Sequence, residues 1–270
     1  MSCEIALFSN VGNSRRKQED NAIYSCGRFL TLNDVSAISE NRSTYQVKVL
    51  PTDKGNFIVA VSDGMGGHAS GEVASGQVVK YLSDNYQRII DGVYLNEQFL
   101  KDEISELNRT IVSYSRSDAR FKGMGATLCG VICSKGLFYG FNVGDSRLYR
   151  YYDGELEQLS SDHTEGQRLV KLNLITEREL SSFPRRKNLY KYIGINGELV
   201  ADVFKIGNCV FGTTLLLCSD GLTDVIPDEE LKEVLAKTDA IEEKGRLLVE
   251  RALERNVGHG DNITLILVEF

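Results

Sequence analysis

At 270 residues, 42% of them hydrophobic, the chain is long enough to bury one large core. A formal net charge of −7 argues against a nucleic-acid partner, which would need a basic stripe. No apolar run approaches the roughly 20 residues that span a bilayer. The opening "MSCEIALFSN" has neither a basic n-region nor a long apolar h-region, so no signal peptide, no membrane partner and a cytoplasmic location are expected.

The chain begins with two strand-like segments, "EIALFS" and "NAIYSCGRFL", separated by the polar turn "NVGNSRRKQED". Residues 31–54 are mostly polar, with one short alternating piece, Gln46 to Leu50, and read as a surface excursion carrying a hairpin. A buried strand, Phe57 to Val61, follows and stops abruptly at Ser62-Asp63. Two amphipathic helices come next. Val73, Ala74, Val78, Tyr81 and Leu82 form a stripe of helical period, and Leu100, Ile104, Leu107 and Ile111 form a second.

From Ala126 the period becomes that of strands. Apolar runs broken at Lys135-Gly136, Gly144-Asp145 and Asp153-Gly154 predict an antiparallel meander. Residues 165–193 are more helical and polar and carry a basic knot, Arg185-Arg186-Lys187. "ADVFKI" and "TTLLLCSDG" read as strands, "DEELKEVLAK" after Pro227 and "AIEEKGRLLVERALERN" as helices, and "NITLILVEF" as a closing strand. With no linker, repeat or low-complexity tract, residues 1–270 are expected to form a single domain. Long helices segregated from antiparallel hairpins predict an α+β layered fold. Strands at both ends and in the middle favour two sheets packed face to face with helices outside.

Carboxylates recur where strands meet loops. "VAVSDG" and "LLLCSDG" end in Asp63 and Asp220, "VGDS" and "HGDN" hold Asp145 and Asp261, and "QEDN" puts Glu19 and Asp20 just before a strand. A single Asp-Gly is usually a turn. Several acids bordering core strands are harder to dismiss, because two unit charges about 4 Å apart repel by roughly 4 kcal/mol at an effective dielectric of about 20. Divalent cations would relieve this repulsion, and all-oxygen ligation suits Mg²⁺ or Mn²⁺, with Ca²⁺ as a competitor. Glycine beside the acid lets a backbone carbonyl approach an ion. The six cysteines, at 3, 26, 129, 133, 209 and 218, form no CxxC pair and read as reduced, partly buried thiols, with Cys129 and Cys133 on one strand face. With three histidines and no tetrahedral spacing, zinc is not expected.

Seven pieces, in order, carry a resemblance: "SNVGNSRRKQEDN", "VSDGMGGHASGEVAS", "MGATLCGVI", "FNVGDSRLYR", "SSDHT", "LLLCSDGLTDVI" and "GHGDNITLILV". Together they resemble the bacterial-type protein phosphatase 2C family of metal-dependent Ser/Thr phosphatases. The resemblance implies a four-layer αββα sandwich, two antiparallel β-sheets flanked by helix pairs. It also implies hydrolysis of phosphoserine and phosphothreonine in proteins, opposing a Ser/Thr kinase in signalling, with Mn²⁺ or Mg²⁺ as cofactor.

Residue by residue, it implies that Asp63 bridges two ions, that the Gly64 carbonyl binds one of them, and that Asp220 and Asp261 complete the first site. Glu19 and Asp20 would serve the second, and Asp145 a third, weaker ion known in bacterial relatives. Arg15 aligns with the arginine that grips substrate phosphate, with Arg16 as the alternative register. The paired ions would lower the pKa of a water and present it in line with phosphorus, so no cysteine nucleophile and no phosphoenzyme are required.

Three departures stand out. Asn10 occupies a place often held by Asp, and Gln18 one often held by Asn. Met65 stands where eukaryotic relatives have a candidate acid histidine. His68 fits the bacterial "DGMGGH" pattern and reads first as a structural loop residue and second as a general acid, while His163 reads as structural. Residues 165–193 correspond to the family's flap, whose basic knot reads first as solvated surface and second as a phosphopeptide contact. Two other functions compete: a catalytically weak module that senses metal or phosphoprotein, and a hydrolase for a small phosphorylated molecule. Loss of metal acids would favour the first, and none is lost. The absence of a GxxxxGK[ST] loop and of a His-Arg-Asp loop argues against an NTPase or kinase.

Overall fold

A computed structural model describes residues 3–15, 17–25, 29–31, 43–46, 55–66, 70–207, 209–237, 239–256 and 260–270. Arg16, Cys26, His68 and most of the 31–54 excursion lie outside the described residues.

Strands β1 (Glu4–Asn10) and β2 (Asn21–Ser25) flank the polar turn, and β3 (Phe29–Thr31) and β4 (Ser43–Gln46) follow. β5 (Phe57–Ser62) leads through the two-residue β6 (Gly64–Met65) into α1 (Ser70–Asp84), α2 (Tyr86–Leu95) and α3 (Glu97–Ser117). The expectation of two helices misses α2. Its buried stripe is only Ile89, Ile90 and Val93, and asparagines bound it on both sides. Asn96 closes α2 and starts α3, its side chain accepting from the Gln98 N–H at 2.8 Å.

β7 (Gly125–Ala126), β8 (Leu128–Ser134), β9 (Leu137–Val143), β10 (Arg147–Tyr152) and β11 (Glu155–Gln158) come next. The chain ends with α4 (Glu165–Lys171), α5 (Glu177–Leu180), β12 (Asp202–Lys205), β13 (Thr214–Cys218), α6 (Asp220–Thr223), α7 (Asp228–Leu235), α8 (Ile241–Arg255) and β14 (Ile263–Glu269).

Two six-stranded sheets form, in the orders β11-β10-β13-β14-β1-β4 and β12-β9-β8-β5-β2-β3, with every pairing antiparallel. This overturns the predicted meander. β8–β9 and β10–β11 are hairpins, but β9 and β10 belong to different sheets. Gly144-Asp145-Ser146 is therefore a crossing between layers. Gly144 makes it with φ +111, and a Cβ there would lie 2.7 Å from Thr127 Cγ2. The excursion's strand, β4, lies on the outer edge of β1, with Leu7 opposite Gln46 and Asn10 opposite Ser43. Of the expected Gln46–Leu50 strand, all but Gln46 falls outside the described residues.

Strand alternation makes three apolar layers. In β5, Phe57, Val59 and Val61 face the other sheet, while Ile58 and Ala60 face α1–α3. In β14, Ile266 and Val268 point into the inter-sheet core, while Leu265 and Leu267 meet α6–α8. Cys129 and Cys133 share the inter-sheet face, as their spacing predicts, and the five described cysteines are buried. Each fully buried large aliphatic side chain contributes about 1.5–3 kcal/mol, so these layers hold the sheets together. α8 lies close over β1 because residue 245 is glycine: a Cβ there would sit 2.0 Å from Phe8 Cε2. No helix among the described residues is long and apolar enough to cross a membrane.

The registers place one set of strand ends along a single rim. Asn21 faces Ser62, Cys218 faces Leu265, and Asn10 faces Ile263. The residues just beyond those ends are Asp20, Asp63, Asp220 and Asp261.

Candidate active site

The rim opens into a cleft of about 780 Å³ lined by Arg15, Glu19, Asp63, Asp145, Asp220 and Asp261, with Gly64 among the backbone it exposes. Six of the seven residues expected to hold metal therefore share one space with the expected phosphate-gripping arginine. The seventh, Asp20, is only 2% exposed and lies behind the cleft wall, where its Oδ2 accepts from Ser219 Oγ at 2.8 Å.

Local bonds explain how loops from distant segments come into register. The Asp63 N–H donates to Thr127 Oγ1 at 2.9 Å, and the Asp63 carbonyl accepts from the Thr127 N–H at 2.8 Å. The Thr127 hydroxyl also meets Ser146 Oγ at 2.7 Å, so one threonine ties the Asp63 loop to the Asp145 loop. Asn262 plays a similar part on the other side. Its Oδ1 accepts from the Glu19 N–H at 2.7 Å, and its Nδ2 donates to the carbonyls of Val11 at 2.8 Å and Lys17 at 3.0 Å.

The Gly64 N–H reaches the Glu19 carbonyl at 3.2 Å, and a Cβ on Gly64 would lie 2.2 Å from the Gly71 carbonyl oxygen. That stacking of backbone segments requires glycine. Asn10 makes its turn without an acid: its Oδ1 accepts from the Gly12 N–H at 2.7 Å. Sequence reasoning singles out none of Thr127, Asn262 or Ser219 as supports of the site. The local hints are that Asn262 directly follows one rim acid and Ser219 directly precedes another.

Charge crowding is visible in the acids themselves. Burial pushes the Asp63 carboxyl well above its ordinary range, reinforced by the charges of Asp20, Asp220, Asp145 and Asp261. Burial raises Asp145 to about 8, with Asp220 and Asp162 adding to it. Asp20 rises to about 7 through burial, against the hydrogen bonds from Ser219 and Thr264. Asp220 rises to about 6 through burial and the charges of Asp224 and Asp261. Glu19 is raised by burial and partly relieved by Arg15.

Arg15 bonds Asp261 Oδ2 at 2.8 Å, so the expected phosphate ligand rests on an expected metal ligand. Among the described residues, no group of three acids, histidines or cysteines is drawn together as a finished metal cage. The Asp63 and Asp220 carboxyls hydrogen-bond one another, and Arg15 neutralises Asp261.

Whether divalent ions suit this site can be read from unmet bonding capacity. Asp20 Oδ1 and Asp220 Oδ1 are buried with no hydrogen-bond partner. Orphaned carboxylate oxygens are costly. The donor set is carboxylate and carbonyl oxygen only, which suits Mg²⁺ or Mn²⁺. The residues fit the ions.

The far wall of the cleft comes from the flap, where Lys187, Asn188, Leu189 and Tyr192 face the acids. The basic knot is engaged on this side: Lys187 pairs with Asp224, and Arg185 Nε lies 3.3 Å from Glu165 Oε2. Arg186 lines an adjoining hollow of about 140 Å³ shared with Asp145, Asp162 and Asp224. All three side chains remain exposed, as the solvated-surface reading expects, and Lys187 and Arg185 meet acids there at the surface.

The chain is similar to several proteins of stated activity. The sequence model of the family described as Protein phosphatase 2C matches residues 46–256. That range contains Asp63, Asp145 and Asp220, while Arg15, Glu19, Asp20 and Asp261 lie outside it. The chain is 38% identical over 216 residues to the serine/threonine phosphatase stp of Listeria welshimeri, covering 78% of this chain and 84% of that one. It is 30% identical to the protein phosphatase PhpP of Streptococcus pneumoniae, covering 98% of this chain and 96% of that one. Among solved structures, the S. agalactiae serine/threonine phosphatase matches with a TM-score of 0.79 at 27% identity, covering 99% of each chain.

Proposed function

The chain belongs to the protein phosphatase 2C family and is a serine/threonine protein phosphatase; from that premise we propose which of its residues do the work, and with which ions. Two divalent ions, Mn²⁺ or Mg²⁺, would be held by Asp63 between them, by the Gly64 carbonyl, Asp220 and Asp261 at the first, and by Glu19 and Asp20 at the second. Asp145 would help hold a third, weaker ion. When bound, the ions supply positive charge that acidifies a water and offsets charge building on the phosphoryl group. The observation that carries this reading is the cleft itself: acids from separate segments raise one another's pKa, and two of their oxygens have no partner.

Within the protein, Asp63 is fixed through its backbone on Thr127, and its carboxyl shares a hydrogen bond with Asp220. Asp20 has only Oδ1 to offer, because Oδ2 is engaged by Ser219. Arg15 must leave Asp261 to bind substrate. Its side chain is 51% exposed, so the swing costs little packing. The flap cations Lys187 and Arg186 stand where an incoming phosphoprotein would approach. The cysteines take no part. Among the described residues none lines the cleft, and burial pushes the Cys218 thiol up to about 12, far from a thiolate nucleophile at neutral pH. The substrates would be phosphoproteins made by a Ser/Thr kinase, in the cytoplasm.

Two results are expected. On a panel of phosphopeptides, hydrolysis of phosphothreonine and phosphoserine should require Mn²⁺ or Mg²⁺ and stop with chelator, with phosphotyrosine turned over far more slowly. Equal rates on all three, or activity in excess chelator, would defeat the reading. Arg15→Ala should lower kcat/KM by about 10–100-fold, the loss of a charged hydrogen-bonded contact worth roughly 1.5–3 kcal/mol. The same change at Arg16 should do little, and the reverse ranking would move the phosphate contact to Arg16.

A further inference from the structure

His163 is 1% exposed and lies outside the acid cluster, yet it bonds the residue next to one of those acids. Its Nδ1 accepts from the Gly144 N–H at 3.0 Å, and its backbone N–H donates to the Gly144 carbonyl at 2.9 Å. Because Nδ1 accepts, the ring proton sits on Nε2, which lies 3.1 Å from Asp202 Oδ2 and donates to it. The other Asp202 oxygen accepts from Lys191 Nζ at 2.8 Å. The His163 carbonyl accepts from the Tyr190 N–H at 3.0 Å, and the two rings meet edge to face at 5.7 Å between centroids. One side chain thus touches the loop before Asp145, the start of β12 and, through Asp202, the returning end of the flap.

The Gly144 peptide needs such a holder. It lies where the chain leaves one sheet for the other, so neither ladder sets its orientation. A positive φ of +111 at glycine leaves its peptide unrestrained by any side chain of its own. The structure closes on residue 144 from both directions: His163 Nδ1 takes the N–H of the Val143–Gly144 peptide, and the His163 N–H and Asn142 Nδ2 donate to the carbonyl of the Gly144–Asp145 peptide at 2.9 and 3.2 Å.

We propose that His163 is a positioning residue, whose Nδ1 fixes the Gly144 amide so that Asp145 presents its carboxylate to the cleft. The inference rests on Asp145 serving an ion site, as proposed above. The feature that matters is the acceptor at Nδ1, not the ring as a filler. Partners that orient a ligand-bearing group in this way are worth about 10–100-fold in metal affinity or activity.

Asparagine and glutamine separate the two ring nitrogens. The Asn Oδ1 stands where Nδ1 stands, whereas the Gln amide reaches only the place of Nε2. Calorimetric Mn²⁺ titration of wild type, His163→Asn, His163→Gln and Asp145→Asn, with thermal melts as a folding check, tests the proposal. The weakest Mn²⁺ binding event should survive in His163→Asn, weaken about 10–100-fold in His163→Gln, and vanish in Asp145→Asn.

If Asp145→Asn binds Mn²⁺ like wild type, the assignment of Asp145 itself fails. If Asp145→Asn loses the event while His163→Gln keeps it, only the role of His163 is overturned. Equal losses in both His163 variants would transfer the role to ring packing on Tyr190 and overturn the acceptor argument. Should either variant not fold, nitrogen NMR of the wild-type imidazole decides. A protonated Nδ1 overturns the clamp, and an Nε2–H tautomer supports it.

Discussion

Asp63→Asn should reduce turnover of a phosphothreonine peptide by on the order of 1000-fold or more, equivalent to at least about 4 kcal/mol of transition-state stabilisation. The fold should survive. The bonds that fix residue 63 run through its backbone to Thr127, and asparagine keeps the shape of the side chain. The variant should also be more stable than wild type when no metal is present. Asp63 is pushed well above its ordinary pKa by burial and by the charges of Asp20, Asp220, Asp145 and Asp261, so a neutral amide removes repulsion from the middle of the group. Gain of metal-free stability together with loss of catalysis is the signature of a charge kept for function. Steady-state kinetics in Mn²⁺ and melts in chelator read the two halves. A Mn²⁺-dependent kcat within tenfold of wild type would remove Asp63 from its bridging role.

The second large effect concerns pH. Metal-free protein is expected to lose stability on going from pH 5 to pH 8.5, and Mn²⁺ should abolish most of that loss. In the unfolded chain the rim aspartates ionise near their ordinary 3.8, whereas in the fold Asp220 holds its proton to about 6, Asp20 to about 7 and Asp145 to about 8. Between those limits the native state binds more protons than the unfolded one, so stability falls as pH rises. The contribution is full below the unfolded value and is lost stepwise through the folded ones.

With each pKa unit worth about 1.4 kcal/mol, the combined effect of these interacting acids is on the order of several kcal/mol. Ions bind the deprotonated acids, so their affinity should rise over the same window. At about 100 times Kd they would add about 2.7 kcal/mol. Melts at pH 5.5, 7 and 8.5 in chelator and in Mn²⁺ make the comparison. A chelator curve that rises toward pH 8.5 would mean that the acids are not crowded.

Much of the site is legible in the amino-acid order, because its acids are marked locally. Asp63 and Asp220 each follow an apolar strand and precede glycine, and both line the cleft. The supports carry no such mark. Thr127 sits in an ordinary strand run, and it becomes a bridge between two acid loops only because β5 and β8 are neighbours. His163 reads as structural, and it is, but the structure it holds is the loop before Asp145. The basic knot of the flap reads as solvated surface and stays exposed, but the pairing of Lys187 with Asp224 has no local mark.

The sequence by itself determined where most strands and helices lie, α2 excepted, which faces they bury, and which acids end the strands. These follow from side-chain period and turn chemistry within a few neighbouring residues. Tertiary structure alone decided that β9 and β10 part into different sheets, that Asp20 stands behind the cleft, and that Arg15 rests on Asp261. Those outcomes depend on partners far away in the chain, as with Asn262 reaching the Glu19 amide across 243 positions. No local pattern records such a contact, because its energy exists only once both sheets have closed on one another.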